Sequence, residues 1–413
     1  MQKKALVLAL GAAFAMSTAY AQKGGGDKED SWDGPDSVVT MYGKLYPEIN
    51  YPKGEGATAV GSTVCTICAA PTGTNAIISR YEMESSNSRV GWRGYEKIGR
   101  DLKAIWQLET AFHVDSNDTT FADRDSFVGL SSRYFGDIKL GRMDTPFKSY
   151  GDDISFLGIS SGNFTSSSNL LRKTGFGTSS ASSFHLRRTN VVQYESPTWA
   201  GLHGAVQYST DEADTNGNNK RAPHVWSGAI AWEGGPFEAS LAHERHWDLF
   251  GGSRNVVASM SNFADTNVRS IDKATQAMVK FKLGKVHQFE ADYVWKDYDE
   301  NATVTGRFHH YKNTAYQLIW DARWSPQWRT ALQWIHSDKG SCSRVNATCN
   351  TDGLNGNQYQ AGFSYYFSRR TFLFVQAAWV KNDYSAVYNN EAQQAPARGE
   401  DITIYGIGIN HSF

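Results

Sequence analysis

Beyond its first residues the chain has no apolar run approaching the ~18 residues that a membrane-crossing helix needs, so a helical membrane protein is excluded. An excess of one charge sign is also missing. Lys and Arg number 41 against 42 Asp and Glu, for a net charge of −1. A near-neutral chain of this size does not bind polyanions by bulk attraction, so nucleic acid is not an expected partner. Proline is scarce, at ten residues, and cysteine scarcer, at four. Cys65 and Cys68 are three apart; Cys342 and Cys349 are seven apart. A Cys₄ zinc site fits poorly, because the second pair lacks zinc-ligand spacing and the pairs lie far apart. A redox CxxC fits less well still, since no βαβ pattern surrounds it.

What is present begins at the amino terminus. Lys3 and Lys4 precede a short apolar core from Ala5 to Met16, and Ala19-Tyr20-Ala21 has the small-x-small form of a cleavage site. Residues 1–21 therefore read as an export signal, with Gln22 as the mature start and a mature charge of −3. The apolar core is too short for an anchor, which needs about 20 residues. Export leads to an oxidising compartment, where the two cysteine pairs read as local loop disulfides. Residues 22–37 are Gly-rich and charged and read as a leader.

From Val38 onward the hydropathy period is two. Tyr316, Leu318, Trp320, Ala322 and Trp324 alternate with Gln317, Ile319, Asp321 and Arg323; Phe289, Ala291, Tyr293 and Trp295 alternate with Glu290, Asp292 and Lys296. An aromatic face backed by a charged one suits a barrel wall with lipid outside and water inside. The connections alternate in length. Tight turns fall near Gly99, Gly136, Gly201, Gly234-Gly235, Gly284, Pro326 and Arg369-Arg370. Longer polar connections fall near 52–79, 114–123, 146–186, 211–223, 248–271, 299–312, 338–357 and 383–400. Seven short and eight long connections predict an all-β, 16-stranded antiparallel transmembrane barrel over 38–413, with turns on the periplasmic side and loops outside. A barrel that wide holds water unless a loop narrows it. The third loop, 146–186, is the longest and is expected to fold inward.

Ordered motifs now carry a resemblance. Ser88-Arg89-Val90-Gly91-Trp92-Arg93-Gly94-Tyr95-Glu96 and Leu102-Lys103-Ala104-Ile105-Trp106-Gln107-Leu108-Glu109 resemble the second and third strands of Gram-negative general porins, nearest the β-proteobacterial type. Phe127-Val128-Gly129-Leu130, Phe135-Gly136-Asp137-Ile138-Lys139-Leu140-Gly141-Arg142 and Tyr194-Glu195-Ser196-Pro197-Thr198-Trp199-Ala200-Gly201-Leu202 resemble later strands of that family. Gly408-Ile409-Asn410-His411-Ser412-Phe413 resembles its closing strand, whose terminal Phe is read by the barrel-assembly machinery. The resemblance implies a homotrimeric outer-membrane channel, surrounded by lipid and lipopolysaccharide, for passive diffusion of small hydrophilic solutes and ions. It implies no enzyme activity and no cofactor. One departure is the missing Pro-Glu-Phe-Gly-Gly stretch of the inward loop, which leaves that loop's charge open.

By the same resemblance the basic side of the constriction falls on Arg89, Arg124 and Arg187, with Lys44 as a fourth. Alternation agrees: Arg89 shares a face with Arg93, opposite Val90 and Trp92, and Lys44 with Glu48, opposite Met41 and Leu45. Arg187 is in phase with Gln193 and is ranked above Arg188. Asp152 and Asp153 are the nearest loop acids; they either face the arginines or pair with Arg142 or Lys148 at the loop root. From Ser155 to Ser183 the loop has no acid but holds Arg172 and Lys173, which tilts the expectation towards anions. Other motifs weigh less. Gly158-Ile159-Ser160-Ser161-Gly162 lacks the strand and helix of a nucleophile elbow. Asp115-Ser116-Asn117-Asp118, with Asp123 and Asp125, lacks the ordered twelve-residue calcium loop. His309-His310 reads as loop surface rather than a metal site.

Overall fold

The computed structural model describes residues 34–85, 87–116, 120–158, 164–177, 179–210 and 222–413. The export signal and most of the leader lie outside the described residues, as do 159–162 of the GxSxG stretch and Asn117-Asp118.

Among the described residues, nineteen strand segments make one sheet. They are β1 (Ser37–Leu45), β2 (Glu48–Glu55), β3 (Glu82–Glu84), β4 (Arg89–Gly99), β5 (Leu102–Ala111) and β6 (Ser126–Ser132). There follow β7 (Gly136–Asp144), β8 (Arg187–Glu195), β9 (Leu202–Thr210), β10 (His224–Gly234), β11 (Phe237–Trp247) and β12 (Ser270–Leu283). The last are β13 (His287–Glu300), β14 (Phe308–Arg323), β15 (Trp328–Ser337), β16 (Ser341–Arg344), β17 (Gly356–Tyr366), β18 (Thr371–Asn382) and β19 (Asp401–Ser412). Three pairs of segments are single staves. β1 and β2 hold one unbroken register against β19, from Lys44↔Ser412 to Glu55↔Asp401, and part only at Tyr46-Pro47, where proline has no N–H for the ladder. β3 with β4 lines the other side of that stave, and β15 with β16 both pair with β14. The result is 16 antiparallel staves, each bonded to its chain neighbours and closed where β19 meets β1 and β2. Phe413 finishes the seam, exchanging backbone bonds with Gly43 at 3.0 and 3.2 Å. The seven tight turns fall where the sequence placed them. Gly136, Gly201, Gly235 and Gly284 each take a positive φ there, a conformation that glycine adopts without strain.

Burial is inverted relative to a soluble protein. On β13, Glu290, Asp292 and Lys296 are buried inside while Phe289 and Tyr293 point out. On β15, Gln333 is inside and Leu332 outside. The interior polar groups satisfy one another along the wall, as in Gln333 Nε2 to Gln317 Oε1 at 2.6 Å, which is what makes their burial tolerable.

The barrel is not an empty tube. A hydrophobic cluster sits inside the long-loop end. It joins Ile67 and Ile77 of the first loop, Phe164, Leu170 and Phe176 of the third, Leu354 of the seventh and Tyr388 of the eighth to wall residues such as Tyr311 and Val380. The loops thus share a core of their own, which roofs one half of the lumen.

Candidate functional site

The third loop leaves β7 through a short helical turn, Pro146–Ser149. Proline occupies its first position and Thr145 caps it, accepting from the Lys148 N–H at 3.4 Å. The loop then crosses the lumen and follows the inner wall from β10 to β18. The Phe147 N–H donates to Ser227 Oγ at 3.0 Å, and Ser240 Oγ donates to the Tyr150 carbonyl. The Asp153 and Ile154 N–H groups donate to Glu290 at 2.9 and 2.7 Å. Further round, Gln360 Nε2 donates to the Thr165 carbonyl at 2.9 Å, and Lys296 Nζ to the carbonyls of Leu171 and Lys173 at 3.0 and 2.7 Å. Close approach needs glycine on the wall: a Cβ at Gly362 would lie 2.5 Å from Leu157 Cδ1. The loop therefore lines the β10–β19 half, and the opposite half, β4–β9, is the other side of the passage.

That opposite side carries the basic cluster. Arg124 and Arg187 sit at the long-loop ends of short staves, β6 having only seven residues where β14 has sixteen, and Lys44 and Arg89 sit partway along the first two staves. Lys44 and Arg89 are direct register partners on β1 and β4. Arg89 Nε lies 3.8 Å from Glu109 Oε2, and Arg124 Nε donates to Glu109 Oε1 at 2.5 Å. Tyr42 Oη also donates to Glu109, at 3.0 Å. Arg187 bridges two carboxylates, Asp125 at 2.6 Å and Asp144 at 2.9 Å, and Asp144 also holds Lys148 at 2.9 Å. Lys44, Arg89, Arg124, Arg187 and Lys148 thus stand with Glu109, Asp125 and Asp144, and cations outnumber anions.

Arg187 is the one that joins the cluster, but strict alternation counted from Gln193 is interrupted before it. The register shifts between the pairs Gly141↔Val191 and Met143↔Arg188, a bulge in β8 around Asn190, whose φ is +54°. A bulge inserts one residue and resets the phase. Arg188 also reaches a lumenal partner, the buried Ser209 Oγ, at 3.4 Å.

Asp152 and Asp153 are held by the far wall. Gln317 Nε2 and Ser167 Oγ donate to Asp152, the former at 3.0 Å, and Lys280 pairs with Asp153 and with Glu238. These partners are neither the arginine cluster nor Arg142 or Lys148. The acids nearest the arginines come instead from the wall and loop ends. Glu109 was legible, since it is in phase with Lys103 and Gln107 on β5. Asp125 lay inside a segment weighed as a calcium loop and set aside, and Asp144 gave no signal.

The cysteines form two disulfides, Cys65–Cys68 and Cys342–Cys349, with Cα separations of 5.2 and 5.6 Å. His310 is not idle loop surface: its Nε2 meets Asp297 at 2.8 Å and Asp299 at 3.7 Å.

The family model for Gram-negative porins matches residues 5–385. The major outer membrane protein P.IB of Neisseria gonorrhoeae is similar, at 34% identity over 317 residues, 74% of this chain and 81% of that protein. Among solved structures, the anion-selective porin from Comamonas acidovorans superposes with a TM-score of 0.65 at 21% identity, covering 91% of this chain and all of that one. The trimer form of OmpT, an outer membrane protein of Vibrio cholerae, gives 0.60 at 14% identity, over 92% of this chain and 100% of that one.

Proposed function

The chain belongs to the Gram-negative porin family and is an outer-membrane channel for passive diffusion, not an enzyme, and we propose that solutes cross it between the third loop and the arginine-bearing wall of β4–β8, with a preference for anions. The observation that carries this reading is the charge balance of the cluster: Arg89 and Arg124 share one carboxylate, Glu109, while Lys44 and Arg188 add to the same side. A unit charge acts on a passing ion with about 0.4 kcal/mol at about 10 Å in water. An excess of a few cations over carboxylates is therefore enough to bias traffic without trapping it. The anion-selective relative with the same fold points the same way.

Residues 1–21 act as the export signal and 22–37 as a leader, and Phe413 at the seam is the signal read by the assembly machinery. The working unit is a homotrimer embedded in lipid and lipopolysaccharide. Supporting this, the outer wall is hollowed near the seam, where Ala361 and Ala377 leave a depression edged by Ile49, Phe363 and Ile407. Small residues at the floor and large apolar ones at the rim suit a neighbouring subunit better than fluid lipid.

Single-channel recording of the purified protein in a planar bilayer, under a KCl gradient, tests the whole reading. Steps closing in threes and a reversal potential of the anion-permeable sign are expected. A folded barrel that passes no current, or one that passes mainly cations, overturns it.

A further inference from the structure

Above the arginine cluster, where the eighth loop meets the first and second staves, three carboxylates converge. One oxygen each from Glu82, Glu84 and Glu391 lie within 4.8 Å of one another, and all three residues are over nine-tenths buried. Glu82 Oε1 accepts from Arg80 Nε at 2.6 Å and from Gln394 Nε2 at 2.9 Å. Its second oxygen, Oε2, is shut away from solvent and meets no donor among the described residues. Glu391 accepts from the N–H groups of Gln393, at 2.9 Å, and Gln394, which aim its carboxylate but bring no full charge. Arg80 is half exposed, so its charge is largely spent on water.

We propose that Glu82, Glu84 and Glu391 bind a divalent cation of the hard, oxygen-seeking class, Ca²⁺ or Mg²⁺, which staples the eighth loop to the second stave across the seam that closes the barrel. Carboxylates are what such ions select, and oxygens about 2.4 Å from a common Ca²⁺ lie at most about 4.8 Å apart. The donorless Glu82 oxygen is the group such an ion would satisfy, since a buried carboxylate oxygen with no partner is costly. Three buried carboxylates within reach of one another crowd negative charge at this point, and the half-exposed Arg80 offsets part of it. The bridge spans a long distance in the chain. Glu391 lies between β18 and β19, and Glu82 and Glu84 are on β3, two strands beyond β19. The staple therefore clamps the roof of the lumen to the wall that neighbours the arginines.

The test uses the full-length folded protein, stripped with EDTA and titrated calorimetrically with CaCl₂ near pH 7.5. Binding of Ca²⁺ with a Kd of about 10⁻⁴–10⁻³ M, the range of outer modules, is expected. Glu82→Gln and Glu391→Gln each weaken it at least tenfold, whereas Asp299→Asn, at the other Asp–His group, leaves it unchanged. Hydrogen exchange over 387–394 slows with Ca²⁺ in the parent and not in the two Gln variants. Calcium binding that survives both Gln substitutions overturns the proposal, as does no binding at 10 mM. Slow exchange in calcium-free Glu391→Gln also overturns it, because a shared proton then suffices. Glu391 lies in a loop outside the barrel strands, so its variant is expected to fold. Both readouts, calcium heat and hydrogen exchange, are made without any conductance measurement, which separates this test from that of the channel.

Discussion

Glu109→Gln isolates the electrostatic claim. The substitution keeps the side chain's shape and one acceptor oxygen, so Arg124, now 2.5 Å from Glu109, still has a bond to donate into. What is lost is the single negative charge shared by Arg89 and Arg124. For an ion passing about 10 Å away through water, that charge is worth about 0.4 kcal/mol. Removing it raises the local anion concentration about twofold and lowers that of cations about twofold, so the anion-to-cation permeability ratio rises about fourfold at low salt. At 0.1 M salt the Debye length is itself about 10 Å, and the same change shrinks to less than about twofold. The assay is the reversal potential across a bilayer under KCl gradients of equal ratio, run at about 20 mM and again at about 200 mM mean salt. A shift towards anions that fades with salt is expected. No shift, or a shift towards cations, refutes the placement of Arg89 and Arg124 on the permeation path. A shift that ignores salt refutes the electrostatic mechanism, because it leaves only a change in pore shape.

Arg187→Gln removes the cation that Asp125 and Asp144 share, so the reversal potential moves the other way, towards cations, by a similar factor; an unchanged potential places Arg187 off the path. Lys280→Met removes the cation that Asp153 and Glu238 share inside the barrel, and breaking such a buried pair costs about 3–5 kcal/mol. Because Asp153 belongs to the loop and Glu238 to the wall, the loop loosens, and noisier open-channel current with closure at lower voltage is expected; traces identical to the parent argue that Lys280 does not hold the loop. Gly362→Val sets a side chain against Leu157 and Phe156, overpacking worth about 1–3 kcal/mol, and a lower single-channel conductance reports the loop displaced into the lumen.

The parts of the barrel that follow from local rules were legible, and the parts that depend on where a long loop lands were not. Alternation such as Phe289/Glu290/Ala291/Asp292 records which solvent each face meets, because one side of every stave touches lipid and the other water. Turn glycines such as Gly235 and Gly284 mark the backbone geometry of a hairpin. Those two signals fix strand number and alternate loop lengths. The destination of Asp153 is different. It is set by Lys280, 127 residues away, whose own place on β12 follows only once the barrel has closed. No periodicity within the third loop encodes that partner. The inward turn of Arg188 has the same character: a bulge at Asn190 adds one residue, and alternation counted from Gln193 no longer holds past it. Glu109 shows the limit from the other side. Its phase on β5 placed it inside the barrel, yet its value lies in being shared by Arg89, Arg124 and Tyr42, which come from three other parts of the chain. In a barrel whose interior is water, polar residues inside are the rule, so an inward carboxylate becomes informative only through the neighbours that closure brings to it.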